Sequence, residues 1–100
     1  MNETKILRYL SLAGAQRKTV CGTNLALKEI RSEKAFCVLL SADASERTKK
    51  QISDKCSFYN IPLIQLQCDM EALGHAAGHG PTAVIGITSA PLAKEILNQL

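Results

Sequence analysis

Five apolar residues in succession, Phe36-Cys37-Val38-Leu39-Leu40, constrain this chain more than any other feature. A run of β-forming residues with no polar alternation has no water-facing side, so it reads as a strand covered on both faces. It is expected at the centre of a sheet. What flanks it fits that demand, because helical patterns alternate with short strand patterns along the whole chain. Ile6, Leu7, Leu10 and Ala13 fall on one stripe of a first helix over about Thr4 to Ala13, with Gly14 as its stop. A basic turn, Gln16-Arg17-Lys18, leads into a short strand at Thr19-Val20-Cys21 and a second helix over about Asn24 to Ser32. After the central run, Ser41 to Ser45 supplies polar capping residues for a third helix, in which Thr48, Ile52, Cys56 and Tyr59 recur at helical spacing and Asn60 is the stop. Ile61-Pro62 then enforces an extended entry to the strand Leu63 to Leu66. Asp69 caps a short helix closed by Gly78, and the turn His79-Gly80-Pro81 precedes the strand Thr82 to Thr88. Ser89 caps a last helix with Pro91 in its first turn. The order α-β-α-β-α-β-α-β-α predicts one α/β domain, a three-layer α/β/α sandwich around a small mixed or parallel sheet, taken here as four-stranded and mixed.

Composition excludes several classes of function. At 100 residues the chain is long enough for one domain with its own core, and 46% hydrophobic with 21% charged residues is ordinary for a globular protein. No apolar run approaches the ~18 residues of a membrane span. Met1-Asn2-Glu3-Thr4-Lys5 lacks a signal pattern, so a cytoplasmic, membrane-free protein is expected. Cys21, Cys37, Cys56 and Cys68 form no Cys-x-x-Cys pair and each sits in or beside an apolar pattern, which reads as buried free thiols. His75 and His79 stand four apart with Cys68 nearby, but Gly78 is expected to end the helix between them, so neither a metal nor a cofactor is expected. Scattered acids and two histidines offer no paired carboxylate or activated nucleophile, so no enzyme class is assigned. The only aromatics are Tyr9, Phe36, Phe58 and Tyr59, three of them within apolar patterns, which argues against base-stacking platforms.

Charge is polarised along the chain. Residues 1–50 carry ten Lys and Arg against five acids, a net +5, whereas residues 51–100 carry two against four, a net −2. A basic half suits an anionic partner. Within it, the second helix places Asn24, Lys28 and Arg31 on one face, opposite Ala26, Leu27 and Ile30. Gly22 and Thr23 precede it. Backbone amides at a helix start and a cation one turn on suit phosphates, and a side-chain amide suits a base edge.

Four motifs in order carry a resemblance: Gly22-Thr23-Asn24-x-x-x-Lys28; Val38 through Ser45; Cys56-x-x-x-Asn60-Ile61-Pro62; and Leu73-Gly74-x-Ala76-x-Gly78. Together they resemble the bacterial branch of the kink-turn-binding ribosomal protein superfamily, over about residues 5 to 98. The resemblance implies a non-catalytic protein that binds structured RNA, ribosomal RNA or a kink-turn, in association with the ribosome. It implies that the start of the second helix enters the widened major groove beside tandem sheared G·A pairs. Asn24 and Lys28 match guanine-contacting positions, Gly22 and Thr23 match the backbone approach, and Ser45 matches a position that reaches a flipped-out base. The loop His79-Gly80-Pro81-Thr82 matches the one that packs on extruded bases. Arg17, Lys18 and Arg31 are added as basic residues of the same RNA-binding surface. Kink-turn binders of archaea and eukaryotes place Glu after the Asn, where this chain has Leu25; loss of one base-edge pair costs roughly 1 to 3 kcal/mol of discrimination. The alternative reading is a protein-interaction module that keeps the fold without specific RNA binding.

Overall fold

The computed structural model describes all residues, Met1 to Leu100. Five helices and four strands alternate: α1 (Glu3–Ala15), β1 (Thr19–Cys21), α2 (Thr23–Arg31), β2 (Cys37–Leu40), α3 (Glu46–Tyr59), β3 (Leu63–Gln65), α4 (Met70–Ala76), β4 (Val84–Ile87) and α5 (Ala90–Leu97). The strands lie in the order β1-β4-β2-β3. β4 runs antiparallel to both β1 and β2, and β2 and β3 are parallel, so the sheet is mixed. The two central strands, β2 and β4, are buried at every residue, as their unbroken apolar sequences demand. One face packs Ile6, Leu10 and Ala13 of α1, Leu73 of α4 and Ala93 and Ile96 of α5 against Cys37, Leu39, Ile85 and Ile87. The other packs Ala26, Leu27 and Ile30 of α2 and Ile52 and Cys56 of α3 against Val38, Leu40 and Val84. This is the expected three-layer sandwich. No helix is long and apolar enough to cross a membrane.

Local chemistry sets most element ends. Ser45, Asp69 and Ser89 each accept a hydrogen bond from the amide three residues on, capping α3, α4 and α5, and Asn2 does the same for α1. Asn60 closes α3 in the left-handed conformation at φ +57°.

Three expectations change. Gly14 does not stop α1, which continues to Ala15. A Cβ at Gly14 would lie 2.5 Å from the Ala77 carbonyl oxygen, so this glycine lets α4 approach α1. Cys37 and Cys56 are buried, but Cys21 and Cys68 are only half-buried, because Cys21 ends the edge strand β1 and Cys68 lies in the loop between β3 and α4. Phe36 is 45% and Phe58 77% exposed, despite standing in or beside apolar patterns. Phe36 precedes β2 at the end of the sheet, and Phe58 lies two residues from Cys56, about 200° round α3 from its buried face.

Candidate nucleic-acid interface

Strand directions sort the helix ends into two poles. β1, β2 and β3 all finish at one end of the sheet, where α2, α3 and α4 begin and where β4 starts. Three helix N-termini therefore present their positive dipole ends on one side of the molecule. Among the five helices, α2 alone has no side-chain cap. Its N-cap is Gly22, at φ +99°, a conformation that favours glycine. The amide of Gly22 bonds to Val84 O at 2.9 Å, which anchors the turn to β4, and the first amide to bond back into the helix is that of Ala26, to Gly22 O at 3.0 Å. The N–H groups of Thr23, Asn24 and Leu25 are left to an outside acceptor.

The face expected from helical spacing is present. Asn24, Lys28 and Arg31 are exposed while Ala26, Leu27 and Ile30 are buried. Arg31 is the last residue of α2, about 10 Å beyond Asn24 at 1.5 Å per residue, and so flanks the helix start rather than joining it. Leu25, in the first turn, is 53% exposed.

The segment before β4 lies at the same pole. It runs back along α4: His79 N–H bonds Gly74 O at 2.9 Å, and Thr82 N–H bonds Met70 O at 3.1 Å. A Cβ on Gly74 would collide with the backbone of Gly80 and Pro81, so the glycine sets how closely the loop sits on the helix. His79, Gly80 and Pro81 are exposed, with His79 Nδ1 2.9 Å from Gly80 O. Thr82 departs from expectation: it is buried, and its hydroxyl donates to Val84 O at 3.0 Å. Its side chain shapes the loop from within and is not offered to a ligand.

Ser45 is exposed at this pole, but its hydroxyl already works as a cap, accepting from Thr48 N–H at 3.1 Å and donating to Thr48 Oγ1 at 3.0 Å. Asp43, not singled out from the sequence as a site residue, accepts from Met70 N–H at 2.9 Å and so ties the β2–α3 loop to the start of α4. A short polar loop gave no local sign of that long-range bond.

Arg17 and Lys18 are not brought to this site. They follow α1 and enter β1 at its first residue, so the strand carries the chain from their pole to that of Gly22. Thr88 N–H bonds Lys18 O at 2.9 Å, placing Lys18 beside the end of β4, not its start. Closeness in sequence to Gly22 suggested a shared surface; the direction of β1 separates them.

Comparison with known proteins extends the picture. The model of the ribosomal protein L7Ae/L30e/S12e/Gadd45 family matches residues 4–97. The chain is 36% identical over 91 residues to the RNA-binding protein YlxQ of Bacillus subtilis, covering 91% of this chain and 90% of that one. Among solved structures, a Bacillus halodurans protein of unknown function superposes with a TM-score of 0.89 at 32% identity over 94% of each chain. The Giardia lamblia 15.5kD RNA binding protein shares the fold, with a TM-score of 0.84 at 23% identity over 97% of this chain and 85% of that chain. With a family model spanning nearly its whole length, this chain belongs to the ribosomal protein L7Ae/L30e/S12e/Gadd45 family.

Proposed function

We propose that this protein is a non-catalytic RNA-binding protein that docks the start of α2 on a kink-turn or kink-turn-like element of structured RNA, in the cytoplasm and in association with the ribosome. The observation that carries this reading is the uncapped N-terminus of α2, whose amides stand free beside exposed Asn24 and Lys28 while every other helix is capped by its own sequence. Free amides at a positive helix end take a phosphate oxygen. The Asn24 amide both donates and accepts and so pairs with a base edge, while Lys28 supplies a point charge to a phosphate or a guanine. His79, Gly80 and Pro81 border the same pole and are solvent-exposed, where an extruded base would pack on them. The RNA-binding description of the B. subtilis relative supports the same class of partner. Nothing in this docking requires a cofactor or a metal.

Titration with a kink-turn duplex, and with the same duplex after its G·A pairs are replaced by Watson–Crick pairs, tests the specific version. Affinity is expected to fall about tenfold or more for the altered duplex, the scale of one or two lost base contacts at 1 to 3 kcal/mol each. Equal affinity for both duplexes would remove kink-turn recognition and leave general binding to folded RNA, and no binding of either would remove the reading altogether.

A further inference from the structure

The pole opposite the start of α2 holds a second, differently built surface. An open groove of about 440 Å³ is lined by Arg17, Lys18, Glu29, Glu33, Lys34 and Phe36, with residues of β1 along one side. None of its five charges is ion-paired, since the two ion pairs of the molecule both lie within α3. Phe36, 45% exposed, is the aromatic wall.

Two of the lining residues hold unusual backbone. Arg17 and Glu33 both have φ +58°, at the positions that close α1 and α2. Glycine is the residue that takes this conformation freely, and Asn60 at the end of α3 is the common substitute. Arg and Glu are neither. Arg17 and Glu33 both line the groove, so two residues that are unfavourable for the backbone stand together at one surface.

The strand beside the groove is an open sheet edge. β1 pairs only with β4. Lys18 O accepts from Thr88 N–H and Gly22 N–H donates to Val84 O, so Lys18, Val20 and Gly22 point their backbone groups towards β4. By strand alternation, the N–H and C=O of Thr19 and Cys21 are directed outward. They form a template for one more antiparallel or parallel strand.

We propose that this edge and groove receive an extended segment of a partner protein, added to the sheet beside β1, with charged side chains of both signs. Backbone bonds to Thr19 and Cys21 would give the register. Alternate side chains would enter the groove, an acidic one to Arg17, Lys18 and Lys34, a basic one to Glu29 and Glu33, and an apolar one to Phe36. A polypeptide fits better than RNA. α1 ends at Ala15 and α2 at Arg31, each two residues before a residue that lines the groove, so their negative dipole ends and two carboxylates together oppose a run of phosphates. This inference is independent of RNA docking at the other pole.

Selection of random linear peptides displayed on phage, against the wild-type protein with counter-selection on an Arg17→Gly/Glu33→Gly double variant, tests it. Glycine relieves both left-handed positions, so the variant is expected to be at least as stable as the wild type, as urea unfolding will read, and lost binding would not reflect lost folding. Peptides carrying both charge signs should be enriched. A synthetic copy of the leading one should slow amide exchange of Thr19 and Cys21 but not of Asn24, and bind the double variant about tenfold or more weakly, the scale of a lost charged contact. Enrichment of no sequence over the variant would overturn the proposal, as would a peptide that binds but leaves Thr19 and Cys21 unprotected. Protection of these amides by the kink-turn duplex would reassign the surface to RNA, and protection that rises with protein concentration alone would reassign it to a second copy of this chain; either result rejects a partner segment.

Discussion

At the scale of single residues, the candidate interface depends on a few side chains whose exposure follows from helix geometry. Asn24 and Lys28 are one turn apart on the solvent side of α2, and Leu27 and Ile30 hold that helix to the sheet from the other side. Replacing either exposed residue leaves the core untouched, so Asn24→Ala and Lys28→Ala are expected to fold normally and to weaken RNA binding. Their losses should differ in kind. If Lys28 neutralises one phosphate, Lys28→Ala lowers the slope of log affinity against log salt by about 0.7 to 0.9, whereas Asn24→Ala, losing an uncharged contact, leaves it unchanged. Titrations across a salt series measure both; full affinity in both variants would move the site off α2. Thr82 illustrates the opposite outcome, a polar residue in the expected loop whose hydroxyl is turned inward to Val84 O.

At the scale of elements, the loop before β4 is positioned by the helix it follows. Gly74 lies buried in α4, and the backbone of Gly80 and Pro81 occupies the space that a Cβ would need. Gly74→Ala must push the loop away from α4 or bend the helix, an overpacking cost of about 1 to 3 kcal/mol. Urea unfolding should show that loss, and amide exchange at Thr82, whose N–H bonds Met70 O, should accelerate with it. A wild-type midpoint together with unchanged exchange would mean that the loop is held elsewhere. α4 itself was legible from Asp69 and its apolar spacing, and α3 from Ser45 and Asn60, because caps and stops act within a few residues. Gly14 misled for the same reason: a glycine near a helix end reads locally as a stop, whereas its use here is contact with Ala77, more than sixty residues along the chain.

At the scale of the whole molecule, the packing of the layers also holds the thiols of Cys37 and Cys56 away from water. Burial pushes the Cys37 thiol up to about 12, with the neighbouring Cys56 adding to the shift, and burial pushes Cys56 up to about 11. Both folded values exceed the unfolded one, so the folded state holds its thiol protons more tightly. The associated stability is fully present below about pH 8.5, the unfolded thiol value, and falls as pH rises through 11 to 12. Urea midpoints at about pH 8 and about pH 10.5 should show this loss, and the drop should be smaller in Cys37→Ala; equal drops would assign it to other groups.

The sequence by itself determined the alternation of helices and strands, the two-sided burial of Cys37–Leu40, the strand that contains Val84–Ile87, the capped starts of α3, α4 and α5, and the polar face of α2. These features are periodic or local, and the forces behind them act within a turn or two of chain. Only the tertiary structure decided the strand order, with β4 inserted antiparallel between β1 and β2. That choice sends Arg17 and Lys18 to the pole opposite Asn24, turns Thr82 inward, leaves Phe36 in the open groove, and directs the free edge of β1 outward. Each of these depends on which distant strand lies alongside, a pairing set by burial across the whole sheet and not by any short stretch of residues.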